Sequence, residues 1–290
     1  MITKLQFLFF SLTLLGFHSL DAQERRTVQV DGAILEYEMA GEGPAVVLLH
    51  GMANSLESWN FLFPVLDENY RVIRLNRRGY STSTGNPDTS LDPLDLLVLL
   101  DSLGVENAAI IGHSQGASSA LRFVLAFPER VGALVVFGAP SPRGLGLPRI
   151  GPDRFPEGQA AIAREEGMAE WAALWDGHPI LDGFIDGSAG QKILAAMLSA
   201  YDGRDLFNSQ PSAAATPPPE IGRLSEISAP TLVITGNLEM PSFQISSDVL
   251  AYLIPDARRV VVEGGGHHVH LQQPERFNSE ILQFLDTVGW

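Results

Sequence analysis

The stretch from Ala108 to Ala120, AAIIGHSQGASSA, constrains the fold more than any other part of the chain. Ile110 and Ile111 lie in an apolar run that reads as a buried parallel strand, and Ala117 to Phe127 reads as a helix. Between them, Gly112-x-Ser114-x-Gly116 forms a strand-to-helix corner that presents a serine hydroxyl. Such a corner is too sharp for side chains on its flanks, so glycine stands two residues before and two after the serine. Ser114 is expected in strained backbone geometry at the positive end of the helix, where developing negative charge is favoured. Five residues of this kind arise by chance. Their meaning depends on what surrounds them.

The surroundings alternate. Thr27 to Val30 and Ala33 to Met39 read as strands around an Asp31-Gly32 hairpin turn, and Gly41-Glu42-Gly43-Pro44 as a second turn. Ala45 to Leu49 is a continuous apolar strand ending at His50-Gly51, followed by a helix over Phe61 to Leu66 and a strand over Arg71 to Leu75. Leu91 to Leu103 is helical, with Pro93 in its first turn where a missing amide is harmless. After the corner, Val131 to Phe137 is another buried strand. Beyond the middle of the chain come a strand at Thr231 to Thr235, a helix at Ser242 to Leu253, a strand at Arg259 to Val262 and a helix at Pro274 to Val288. The implied fold class is α/β, a mostly parallel central sheet with helices on both faces. Ligands of such sheets sit at the carboxyl ends of the strands.

The rhythm breaks between residues 140 and 222, rich in Gly and Pro but carrying helical pieces at Gln159 to Trp175 and Gln191 to Tyr201. This segment is expected to be a helical lid perched on the sheet, closed by a stiff Pro217-Pro218-Pro219 hinge. Met168, Trp171 and Trp175 fall at three- and four-residue spacing, on one helix face. With Phe184, Met197 and Phe207 they are expected to line an apolar substrate pocket or to fasten the lid to the body. The organisation is then an N-terminal segment 1–22, a core in two parts (23–139 and 223–290), and the lid 140–222.

Lys4, the apolar run Leu5 to Phe17 and the polar turn ending at Ala22 have the anatomy of a secretory signal. The run is shorter than the roughly 20 residues that span a bilayer, so cleavage after Ala22 and a secreted or periplasmic protein are expected. The chain has no cysteine, which excludes a disulfide scaffold, a thiolate metal site and a cysteine nucleophile. With 34 Asp and Glu against 19 Lys and Arg, its net charge of -15 repels nucleic acid and anionic membranes. The expected partner is a small molecule, with no cofactor and no metal.

A serine nucleophile needs a base, a group to orient the base, and donors for the oxyanion. Of seven histidines, His267 comes first out of the glycine-rich loop Gly264-Gly265-Gly266 and is taken as the base. His268 and His270 beside it read as surface loop, or as the start of a metal site for which no companion ligand stands out. His113 adjoins the nucleophile and is expected to pack or hydrogen-bond locally. Glu239, in the loop Gly236 to Pro241 after a strand, is taken as the orienting acid because Ser, acid, His is the order of the elbow fold; Asp248 is the alternative. The oxyanion donors are expected to be the backbone amides of Gln115 and Met52.

These residues resemble the α/β-hydrolase superfamily, especially its small bacterial esterase and enol-lactonase-like members. The resemblance runs from about Val28 to Trp290 and rests on Leu49-His50-Gly51, Arg78-Gly79-Tyr80-Ser81, Gly112 to Gly116, Pro230 to Gly236, and Gly266-His267 followed by Gln273-Pro274-Glu275. It implies a structural hydrogen bond for His50. Two departures stand out: relatives usually carry aspartate where Glu239 stands, and Asn76 replaces a common aspartate of the loop before Gly79. The implied activity is serine-dependent hydrolysis of a carboxylic ester or lactone. Carbon–carbon bond hydrolysis and cofactor-free haloperoxidase chemistry use the same site, and a non-catalytic ligand-binding protein of this fold is the reading from another class. Dehalogenase and epoxide hydrolase relatives place aspartate where Ser114 stands.

Overall fold

The computed structural model describes residues 24–147, 154–207 and 219–290. The expected signal segment, residues 1–22, lies outside the described residues, as do Pro217 and Pro218 of the expected hinge. No helix among the described residues is long and apolar enough to cross a membrane.

Eight strands form one sheet in the order β1-β2-β4-β3-β5-β6-β7-β8. Strand β1 (Arg26–Val30) pairs antiparallel with β2 (Ala33–Ala40), closing on Val30 opposite Ala33 so that Asp31 and Gly32 form the two-residue turn. β2 pairs antiparallel with β4 (Arg71–Leu75); every other pairing is parallel. The four inner strands β3 (Ala45–Leu49), β5 (Ala108–His113), β6 (Val131–Phe137) and β7 (Thr231–Gly236) are buried almost throughout, and β8 (Ala257–Val262) is the far edge. Buried on both faces, these inner strands have no polar face to alternate with, which is why they read as unbroken apolar runs.

Helix α1 spans Phe63–Leu66, α2 Asp92–Ser102 and α3 Gln115–Ala126. Between β6 and β7 come α4 (Gln159–Glu165), α5 (Met168–Ala173), α6 (Ala189–Ala200) and α7 (Arg204–Phe207). The chain continues through α8 (Pro241–Leu253), α9 (Val269–Gln272) and α10 (Pro274–Thr287). The pleat divides the core in two: Val47, Leu49, Ile110 and Val136 face α2, α3 and α8, while Val46, Leu48, Ile111 and Val135 face α1 and α10. Each fully buried aliphatic side chain contributes roughly 1.5–3 kcal/mol, so the two layers fix the strand ends on which the site is built.

One expected element is two. The helix read over Gln159 to Trp175 is broken at Gly167, whose φ of 99° is open to glycine and strained for other residues, and α5 restarts at Met168. Trp175 lies beyond the end of α5, yet its ring still meets that of Trp171 at 6.0 Å. Helices α4 to α7 cover the carboxyl ends of the strands: Trp171, Trp175 and Tyr201 pack on Ala53 and Tyr80, and Leu194 and Met197 on Leu271.

Candidate active site

The serine corner forms as its sequence requires. β5 ends at His113 and α3 begins at Gln115, leaving Ser114 between them at φ 51°, ψ -119°, a conformation that L residues rarely hold. Three hydrogen bonds pin it: Ser114 N–H donates to the Phe137 carbonyl at 3.0 Å, and the Ser114 carbonyl accepts from Ala117 at 2.9 Å and Ser118 at 3.2 Å. Gly116 lets α3 start flush against β3, since a Cβ there would lie 2.1 Å from the Leu49 carbonyl oxygen.

The loop after β8 brings His267 to the corner and the loop after β7 brings Glu239 behind it. His267 Nε2 lies 3.1 Å from Ser114 Oγ, and its Nδ1 lies 2.9 Å from Glu239 Oε2. Both partners of the second contact are buried. The carboxylate accepts, so the Nδ1 proton points to Glu239 and the Nε2 lone pair to the serine hydroxyl. Glutamate's extra methylene is taken up by a local bond: Glu239 Oε1 accepts the Met240 amide at 2.9 Å, which aims Oε2 at the imidazole. Phe243 closes the other side, its ring edge-on to His267 at 4.7 Å. The alternative acid, Asp248, is exposed on α8 and paired with Arg259.

Met52 and Gln115 both border the space in front of Ser114. His50 holds the first of these peptides. Its Nε2 accepts the Arg77 amide at 3.0 Å, so Nδ1 carries the proton and donates it to the Gly51 carbonyl at 2.8 Å. That bond fixes the plane of the Gly51–Met52 peptide and hence the aim of the Met52 N–H. Burial first, and the Arg77 charge second, hold the His50 imidazole well below its usual range, in the neutral form this geometry needs. Gln115 is steadied through its side chain, where Oε1 accepts from Arg77 Nη2 at 2.8 Å and lies 2.8 Å from the Tyr80 hydroxyl. The same hydroxyl is 2.8 Å from Asp205 on α7, so the corner and the helical cover share one polar network. Asn76 serves locally: its Oδ1 accepts the Leu56 amide and its Nδ2 donates to Glu36.

The late histidines are not a surface loop. His268 and His270 are buried with His113 and His267: α9 turns His270 inward against Trp59 and Phe137, while His268, just before α9, meets Phe184 and His113. His113 Nε2 donates to the His267 carbonyl at 3.0 Å, supporting the base from below, and His270 Nε2 lies 2.7 Å from Ser58 Oγ. Among the described residues no three His, Asp or Glu side chains converge to hold a metal.

Burial holds His113, His268 and His270 neutral, and His270 is lowered to about 3 by burial and then by its neighbour His267. An unfolded histidine titrates near 6.5, so between about pH 6.5 and 3 the unfolded chain binds the proton that the folded one refuses. Stability is then full above about pH 6.5 and is lost as pH falls. The urea midpoint is expected to drop steadily from about pH 7 to 4.5; a flat profile would contradict buried neutral histidines.

In front of Ser114 lies a cavity of about 260 Å³. Trp171 and Trp175 line it as expected; Met168 does not, and instead packs at Gly203 and lines a separate recess with Ala172 and Leu198. Nor do Phe184, Met197 or Phe207 reach it. The wall is completed by Phe155, Ile180, Leu181, Leu194, Leu198 and Phe243, from segments far apart in sequence. No local pattern marked them.

Comparison with known proteins agrees with the fold. A model of the Alpha/beta hydrolase family matches residues 46–280. The 2-hydroxy-6-oxononadienedioate/2-hydroxy-6-oxononatrienedioate hydrolase 2 of Pseudomonas putida is 33% identical over 268 residues, 87% of this chain and 91% of that protein. The solved structure of a hydrolase from Pseudomonas aeruginosa PA01 aligns with TM-score 0.76 at 26% identity, covering 91% of this chain and 99% of that one. The structure of an enzyme that degrades N-acyl homoserine lactones aligns with TM-score 0.69 at 26% identity, covering 89% and 100%.

Proposed function

Because the chain belongs to the alpha/beta hydrolase family, we propose that it cleaves a carboxylic ester or lactone through an acyl-enzyme on Ser114. The observation that carries this reading is the continuous Ser114–His267–Glu239 chain of contacts, open on its serine end to a largely apolar cavity. Ser114 Oγ attacks the carbonyl carbon as His267 Nε2 takes its proton, and Glu239 stabilises the imidazolium that forms. The Met52 and Gln115 amides receive the oxyanion, at about 3 kcal/mol per donor. His267 returns the proton to the leaving oxygen, the C–O bond breaks, and water repeats the sequence to free the acid and Ser114.

A carbon–carbon bond hydrolase is the second reading, favoured by the name of the Pseudomonas putida relative. A dioate substrate brings two carboxylates, and burying them without cationic partners is costly. Among the described residues no lysine or arginine lines the cavity. That favours a neutral ester or lactone.

The test is reaction with a fluorophosphonate probe, the adduct located by mass spectrometry. A stoichiometric adduct on Ser114 that is lost in His267→Ala supports an activated nucleophile; no adduct on folded protein moves the binding-protein reading ahead. Glu239→Gln is expected to lower kcat by about 10³–10⁴-fold, because the amide no longer balances the imidazolium. Asp248→Asn is expected to leave turnover of short p-nitrophenyl esters unchanged. The reverse pattern would transfer the acid role to Asp248.

A further inference from the structure

A second recess, about 310 Å³, opens beside the catalytic cavity, and the two share Ala53 and Asn54 as a common wall. Their chemistry differs. The catalytic cavity is walled chiefly by aromatic and aliphatic side chains, whereas one side of the recess carries Ser55, Glu57, Asn60 and Ser81. The facing side is α6, which presents Ala196 and Ala200 there, both exposed and small enough to leave the space open.

Asn54 stands at the divide. It is buried, its Oδ1 has no hydrogen-bond partner, and its Nδ2 lies 3.2 Å from the point where a Gly51 Cβ would sit. Ser114 Cβ lies 3.1 Å from that same point, so the amide is a neighbour of the nucleophile. An amide atom buried without a partner costs about 1–3 kcal/mol, so a turn of the side chain that brings it to a polar group of the substrate is favoured. Glu57 pairs with Arg25, a cation it shares with Glu36 and Glu38, so the border of the recess stays acidic, repels an anionic guest and suits a neutral, hydroxylated one.

We infer that the recess receives the alcohol portion of the substrate, and that the enzyme prefers esters joining an apolar acyl group to a small neutral polyol, with Asn54 reading a hydroxyl next to the scissile bond. The inference rests on the serine-hydrolase reading above. In the acylation step the C–O bond breaks towards the recess, His267 Nε2 protonates the leaving oxygen, and the polyol departs. The acyl group stays on Ser114 in the apolar cavity. Discrimination between alcohols is therefore read from kcat/KM, which covers the steps up to and including acylation, since every ester of one acid then deacylates from the same acyl-enzyme.

The experiment compares glycerol and methyl monoesters of one medium-chain acid, in the full-length protein and in Asn54→Leu, Ala196→Trp and Ala200→Trp. The readout is the ratio of kcat/KM for glycerol ester over methyl ester. The expected ratio is about tenfold or more in the unaltered protein, what one satisfied buried hydrogen bond gives. It should fall towards one in Asn54→Leu and in either tryptophan variant. The alanines are exposed, so a larger side chain there narrows the recess and leaves the core intact. A ratio near one in the unaltered protein, or one that survives all three substitutions, overturns the inference. If a fluorophosphonate labels Ser114 but neither ester is cleaved, the inference alone has failed. If Ser114 is not labelled either, the hydrolase reading has failed and takes the inference with it.

Discussion

His267→Ala is expected to lower kcat/KM for the preferred ester by about 10⁴-fold or more, and Ser114→Ala by a similar factor. The two losses should not add. The imidazole acts only by moving the proton of the hydroxyl 3.1 Å away, so once either group is gone the other has nothing to do. The double variant is then expected to retain the activity of the worse single one. The residue that remains reflects binding and the amides of Met52 and Gln115, which neither substitution removes. His267 is buried against Phe243, so the alanine variant also loses packing, and near-ultraviolet circular dichroism must show it folded before its rate is read. Losses that multiply in the double variant would mean that Ser114 and His267 work independently.

The second large effect is on folding. Gly116→Ala places a methyl group 2.1 Å from the Leu49 carbonyl oxygen and 2.6 Å from that of His50. Both contacts are backbone at the end of a central strand, and neither can swing aside as a flexible side chain would. Accommodating the methyl requires α3 to lift from β3, at an expected cost of about 3–5 kcal/mol. The same shift separates the Gln115 amide from the Met52 amide, because Gln115 rides on α3 and Met52 follows β3. Any folded fraction should thus show a depressed kcat as well as a lowered urea midpoint. Gly222→Ala is the control: nothing lies within 4 Å of its Cβ position, and a change below about 0.5 kcal/mol is expected. If Gly116→Ala unfolds at the same urea concentration as Gly222→Ala, the contact between elbow and strand is not what holds the corner.

What the sequence could reveal followed from what is encoded locally. The bounds of β3 and β6 are those read from Ala45–Leu49 and Val131–Phe137, because a strand buried on both faces must be apolar from end to end, and those of β4 are those read from Arg71–Leu75, where Val72, Ile73 and Leu75 are buried between half-buried arginines. Ser114, His267 and Glu239 were legible because turn chemistry and chain order mark them, and the structure brings the three side chains together. The cover was read less well. Helical spacing of Met168, Trp171 and Trp175 shows neither that Gly167 breaks the chain ahead of Met168 nor that α5 ends at Ala173, before Trp175, since periodicity reports which side chains share a face and not where the backbone stops being helical. His268 and His270 were read as exposed on residue type, whereas Ser58 and the Trp59 and Phe137 rings make a buried place for His270 from elsewhere in the chain. Asn54 carried no signal. Its importance comes from lying between two cavities, a relation that exists only after the helices have docked.

The strand order has a consequence for how the protein comes alive. Ser114 follows β5, Met52 β3, Glu239 β7 and His267 β8, and the serine and histidine are 153 residues apart in the chain. Contacts of such long range close late, after the local helices and the hairpin. During renaturation the far-ultraviolet signal should therefore recover well ahead of turnover, with a species that looks nearly complete yet stays inert. Catalysis in this molecule is a report that the last strand has joined the sheet.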